Sequence, residues 1–94
     1  RRLLHREDWL TIFRVPVQIT PRQGILDPQG AAVAGALRTL GFDGVSDVRV
    51  GRFIVVDIQA DNVAAARAAT RAMCDKLLAN PVTEDFVIEE IRSE

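Results

Sequence analysis

The chain has 94 residues, enough for one small domain with a modest core that oligomerisation would help to stabilise. Twelve basic residues against thirteen acidic ones give a net charge of −1, which leaves no electrostatic footprint for nucleic acid or an anionic membrane surface. A hydrophobic share of 48% is that of a folded chain, the lone Cys74 rules out an intramolecular disulfide and fits a reduced, cytoplasmic setting, and no apolar run approaches the roughly 18 residues of a membrane span.

Residues 1–8 carry five charges without a clear period and read as an extension or tag remnant; the domain organisation is an N-terminal segment 1–13, or start of the first strand, followed by one domain over 14–94. From Trp9 the pattern alternates, with Thr11, Phe13, Val15, Val17 and Ile19 on one face, and a strand is expected from Phe13 to Thr20. Pro16 has no N–H for a ladder and belongs on an edge or at a bulge. Asp27-Pro28 opens a helix, Asp27 as cap and Pro28 at the first turn. Ala32, Val33, Ala36, Leu37 and Leu40 recur at helical spacing, and Gly41 ends the run in a left-handed conformation.

Val45 to Ile58 is rich in β-branched residues. With Gly51-Arg52 as a two-residue hairpin turn it gives strands at 45–50 and 53–59; one long bent strand is the alternative. Asp61 or Asn62 caps a second helix, with Val63, Ala66, Thr70, Met73 and Leu77 as its buried stripe. Pro81 stops that helix near Ala79, and a last strand covers 85–91. The order β-α-β-β-α-β predicts an α+β, ferredoxin-like domain: an antiparallel sheet with two helices on one face.

Both faces of these strands are apolar. Ile54, Val56 and Ile58 oppose Phe53 and Val55, while Phe86 and Ile88 oppose Val87 and Ile91. A half-exposed antiparallel strand alternates apolar with polar. Leaving Phe53, Val55, Val87 and Ile91 in water would forgo roughly 1.5–3 kcal/mol apiece. Two coverings are open: a second copy related by a two-fold axis, or the N-terminal segment with Trp9 and Leu10 folded over the face.

The residues do not assemble catalytic chemistry. His5 is the only histidine and lies in the extension, and Cys74 beside Met73 reads as a packed core thiol. That shortage also argues against a zinc site, and no phosphate loop or dinucleotide fingerprint is present. Glu84, Asp85, Glu89 and Glu90 read as a solvated face. Arg49 and Arg52 flank the expected turn, where they can meet an anion or a partner carboxylate.

Three stretches, in this order, carry a family resemblance: Gly24-Ile25-Leu26-Asp27-Pro28-Gln29-Gly30; Leu40-Gly41-Phe42 with Val45-Ser46-Asp47-Val48-Arg49-Val50-Gly51-Arg52; and Leu77-Leu78-Ala79-Asn80-Pro81-Val82-Thr83-Glu84-Asp85-Phe86. Together they resemble the PurS family over about residues 14 to 91; the extra N-terminal residues and Pro16 depart from its pattern. The resemblance implies a small, non-catalytic subunit of the formylglycinamide ribonucleotide amidotransferase of purine biosynthesis. In that assembly a synthetase subunit, PurL, holds ATP and Mg and activates the amide oxygen. A glutaminase subunit, PurQ, releases ammonia, and the small subunit joins the two and assists ammonia transfer. It implies no cofactor or metal in this chain and a homodimer or dimer of dimers. Contacts to partners are expected at Gln29, Arg49, Arg52, Asn80 and Glu84, and a dimer interface at Phe53, Val55, Val87 and Ile91. A regulatory module of the ACT type shares the element order and is the alternative, although Pro28 follows Asp27 directly where that type often has Asp-x-Pro-Gly. A generic assembly adaptor is a third reading.

Overall fold

The alternation that begins at Thr11 yields an eleven-residue strand, β1 (Thr11–Pro21), in a computed structural model that describes residues 11–93. Successive side chains of a strand point to opposite faces. Phe13, Val15, Val17 and Ile19 therefore line up on one side, and all four are buried. The second strand, β2 (Arg52–Ala60), runs antiparallel to β1 from Thr11↔Ala60 to Ile19↔Arg52. On the other side of β1 lie β3 (Glu84–Ile88) and the short β4 (Arg92–Ser93), both antiparallel to it. The sheet order is β2-β1-β3, with β4 continuing the β3 side, so β1 is the central strand. The α+β class with an antiparallel sheet and two helices is thus observed.

A proline in a central strand needs an explanation. The Pro16 carbonyl accepts from the Glu89 N–H at 2.9 Å, so the ring nitrogen, on the same edge of the strand, also faces β3 and β4. There the partner chain carries one extra residue. The paired numbers sum to 105 along β3 (Val17↔Ile88) and to 106 at β4 (Phe13↔Ser93), which is a β-bulge. Pro16 thus sits opposite the interruption, where a ladder donor is dispensable. The bulge also resets side-chain parity. Ile91 moves to the inner face and packs against the core, so its expected place beside Val87 on the outer face is corrected.

The first helix, α1 (Pro28–Thr39), forms as its ends prescribe. The Gly30 N–H donates to Asp27 Oδ1 at 3.0 Å, and Gly41 closes the helix at φ 101° while the Phe42 N–H reaches the Leu37 carbonyl at 3.0 Å. The second helix, α2 (Val63–Met73), is capped by Asn62 through the Ala65 N–H at 2.8 Å. It packs over β1 and β2, burying Ala66, Thr70 and, in the turn that follows, Cys74. That turn, Cys74–Leu78, is π-helical. Its wider pitch moves the buried stripe one residue on, so Leu78 packs on the core and Leu77 points to water. Val63 is likewise more exposed than the expected stripe required.

The expected strand at 45–50 and the Gly51-Arg52 hairpin turn do not form. The physical reason is competition for backbone groups. The Val50 N–H donates to Asp27 Oδ2 at 2.9 Å, and Arg38 takes the Val45 and Ser46 carbonyls at 3.0 and 3.3 Å. Side chains of α1 and its cap hold this segment along the helix, and no ladder results. Arg52 then opens β2 directly. Consequently α1 and its returning chain form an arm, residues 22–51, that leaves the end of the sheet at Ile19 and re-enters at Arg52. Only α2 lies against the strands, whereas α1 makes almost no contact with them.

Candidate partner-binding site at the root of the arm

Two arginines fix the root. Arg22, just after β1, donates from Nε to Asp85 Oδ1 at 2.9 Å, from Nη2 to the Pro81 carbonyl at 2.8 Å and from Nη1 to the Val82 carbonyl at 3.2 Å. Its backbone N–H meets the Thr83 carbonyl at 2.9 Å. Arg52, opening β2, forks onto Glu84 at 2.8 and 3.0 Å and reaches the Leu78 carbonyl at 2.7 Å. Glu84 Oε1 also accepts from the Asn80 N–H at 2.8 Å, and Asn80 Oδ1 from the Val82 N–H at 3.0 Å. A planar guanidinium meeting a carboxylate on two bonds fixes direction as well as distance. The turn 80–85 is therefore held in one shape from both sides.

Electrostatics follow the geometry. The Arg52 fork, then the Asn80 N–H, hold the Glu84 carboxyl below its ordinary value, while Glu84 raises Arg52. The Gly30 N–H, then that of Val50, lowers Asp27; burial opposes them, and the Gln29 N–H adds a lesser lowering effect. Burial, helped by the Asp75 charge and countered by Arg71, pushes the Cys74 thiol up, so it stays a thiol and a poor nucleophile. Arg71 does not pair with Asp75 but lies over the Phe86 ring, 5.5 Å from its centroid.

Of the five residues expected to contact partners, three form one cluster. Arg52, Asn80 and Glu84 bind one another, and Glu84 is only 15% exposed. They shape the surface more than they offer free charge, and neither Arg52 nor Glu84 sits on the open turn or solvated face foreseen for it. Gln29 is exposed on the first turn of α1 and shares a groove of about 280 Å³ with Leu26, Val50, Arg52 and Glu84. Arg49 lines a second groove of about 400 Å³ beside it, with Arg22, Asp27 and Asp47; its contact to Asp47 is a loose 3.9 Å. Leu26 and Asp27 form the ridge between the two. On the outer sheet face Phe53, Val55 and Val87 are 58, 46 and 59% exposed, as expected of an uncovered surface.

Sequence reasoning passed over Arg22 and the second bond of Asp27. Their partners lie 59–63 and 23 residues away, and no local spacing announces such pairs. Among the described residues no group of three or more His, Cys, Asp and Glu could hold a metal ion, and no helix is long and apolar enough to cross a membrane. His5, Trp9 and Leu10 lie outside the described residues.

A small antiparallel α+β domain, with a saturated polar clamp beside open grooves and bare apolar faces, is built as a component of an assembly. The particular family is set by comparison. The profile of PurS, phosphoribosylformylglycinamidine (FGAM) synthase, matches residues 14–92, and the chain belongs to the PurS family. The PurS subunit of phosphoribosylformylglycinamidine synthase from Synechocystis is 44% identical over 77 residues, 82% of this chain and 77% of that one. Thermus thermophilus PurS superposes with a TM-score of 0.73 at 40% identity, covering 86% of this chain and 95% of the other. A chain of the PurLQS structure from Thermotoga maritima superposes with a TM-score of 0.72 at 28% identity over 88% and 98% of the two chains. These relatives are subunits of the synthase, and the ACT-type alternative is set aside.

Proposed function

We propose that the chain is the bridging subunit of a phosphoribosylformylglycinamidine synthase complex, joining a PurL-type synthetase to a PurQ-type glutaminase and assisting the passage of ammonia between them. The observation that carries this reading is the meeting of all three family-like stretches at one rigid root. Leu26 to Gly30, Val48 to Arg52 and Asn80 to Asp85 come together there through Asp27, Arg52 and Glu84. The PurLQS assembly of a relative supports it. Gln29 and Arg49, exposed on the two grooves, are the contact residues, and Arg52, Asn80 and Glu84 hold the surface they stand on. The chain works in the cytoplasm without a cofactor of its own, ATP and Mg acting in the synthetase partner. It assembles as a homodimer or dimer of dimers through the outer sheet face at Phe53, Val55 and Val87.

The test compares turnover by a PurL–PurQ pair with and without this chain, first on glutamine and then on ammonium salt. Glutamine-driven turnover is expected to depend on the chain, whereas high ammonium bypasses much of that need. Equal glutamine turnover in both cases overturns the bridging role.

A further inference from the structure

The outgoing chain of the arm passes through one residue that is bonded on every side. Arg22 follows the last ladder residue of β1. Its N–H donates to the Thr83 carbonyl at 2.9 Å, and its carbonyl accepts from the Ile25 N–H at 3.2 Å, closing a turn with Gly24 at φ 88°. The side chain takes Asp85 and the carbonyls of Pro81 and Val82. One arginine thus collects three consecutive carbonyls of the turn that opens β3, and a carboxylate besides. Arg22 also lines both the groove that holds Arg49 and a cavity of about 350 Å³ beside α2, walled by Arg71, Cys74 and Phe86. Its guanidinium stands where the arm and the sheet adjoin.

Stability is a poor account of these contacts. The side chains of Arg22 and Asp85 are 45 and 68% exposed, and ion pairs so open to water contribute little. Direction is the better account. Because α1 makes almost no contact with the strands, packing does not hold the arm, and its orientation is decided at the root. The lever is long: α1 spans about 18 Å, so a swing of roughly 10° at the root moves its far end by about 3 Å. A planar guanidinium bonded through Nε and both Nη groups resists such a swing, because each bond fixes a different direction. We propose that Arg22 is a positioning residue: it sets the direction in which the arm presents Gln29 and Arg49 to the partner enzymes, and through it the coupling of glutamine-driven turnover. This rests on the reading of the chain as a bridging subunit. Arg52 acts differently, since it pairs with Ile19 inside the β1–β2 ladder and ties the sheet to Glu84, whereas Arg22 is the first residue beyond the sheet on the outgoing side.

The experiment uses the full chain with Arg22→Gln, Arg22→Lys, Asp85→Ala and, as a control, Arg67→Gln at an exposed site on α2. Spin labels at Asp43→Cys on the arm and Gln59→Cys on β2 report the distance between the two parts. Labelled chain is diluted into unlabelled chain so that each distance lies within one copy, and the buried Cys74 stays unlabelled. Turnover by the synthetase–glutaminase pair is followed on glutamine and on ammonium salt. The expected result for Arg22→Gln and Arg22→Lys is a broader distance distribution, with melting temperatures close to that of the wild type. Glutamine-driven turnover at a fixed concentration of the chain should fall at least about tenfold, while ammonium-driven turnover stays unchanged. Asp85→Ala should move both readouts the same way by less, because the two carbonyl bonds of Arg22 remain. Rescue by Arg22→Lys would show that charge alone suffices and overturns the proposal, as does an equal loss in Arg67→Gln. An unchanged distribution in Arg22→Gln, or a broader one with full glutamine turnover, overturns it too. A turnover loss that Asp85→Ala does not share would make Arg22 a direct contact instead of a positioning residue. If the wild-type chain does not raise glutamine-driven turnover at all, the bridging reading falls by itself, and the distances still decide whether Arg22 sets the arm.

Discussion

Thr70 is fully buried in α2, and its hydroxyl has no hydrogen-bond partner. A buried hydroxyl without a partner costs about 1–3 kcal/mol, and valine has the same shape without it. Thr70→Val should therefore raise the stability of the chain by about 1 kcal/mol, read as a higher urea midpoint at an unchanged slope. Glu84 shows the opposite economy: every bond it makes favours the charged form. Its folded pKa lies below the unfolded one, so its contribution is complete above the ordinary carboxylate range and is lost as pH falls through the folded value. Asp27 acts with the same sign. Urea midpoints measured from neutral pH downward should fall less steeply for Glu84→Gln than for wild type. Parallel curves would mean that the Arg52–Glu84 fork is not formed in solution.

Helix α1 sets propensity against packing at two glycines. Gly35 faces open space, and nothing lies within 4 Å of an added side chain. Gly35→Ala should follow helix propensity and stabilise by about 0.5–1 kcal/mol. At Gly30 a methyl group would run into the Val48 carbonyl and the Asp27 carboxylate. Neither can move cheaply, because Asp27 is bonded to both the Gly30 and Val50 N–H groups. Overpacking of this kind costs about 1–3 kcal/mol or more, which outweighs the propensity gain. Gly30→Ala should thus lower the melting temperature while Gly35→Ala raises it. Two changes of the same sign would show that the returning chain is not held against α1. The π-helical turn is a comparable decision at element scale: one residue's difference in pitch exchanges Leu77 for Leu78 in the core.

At the scale of the whole molecule, one helix covers one face of a four-stranded sheet, and much apolar surface remains outside. Phe53, Val55 and Val87 lie together on the outer face. A charge buried there without a partner costs several kcal/mol. Val87→Lys should reduce the assembled mass in light scattering without lowering the melting temperature of the folded chain at low concentration. A variant that keeps the wild-type mass would show that this face stays in water.

Alternation in β1, the Asp27-Pro28 entry and the Gly41 exit of α1, and the stop before Pro81 were legible in the sequence, because each depends on residues within one or two turns of one another. So was the apolar outer face at Phe53, Val55 and Val87, which depends on parity. The side on which Ile91 falls was not, since it turns on a bulge opposite Pro16 that exists only once β3 and β4 pair with β1. Nor was the course of residues 45–50. Their β-branched pattern suits a strand, but Asp27 and Arg38 compete for the backbone groups a ladder would use, and that competition is decided only when α1 and the returning chain are side by side. The root of the arm belongs to the same class. Arg22, Arg52, Asn80 and Glu84 read as separate surface residues along the chain, and the sheet brings them together because Ile19 pairs with Arg52 while Pro21 pairs with Glu84. Short-range stereochemistry can be read from a string of residues, whereas the contest between distant donors and acceptors is settled by the packing that places them within reach.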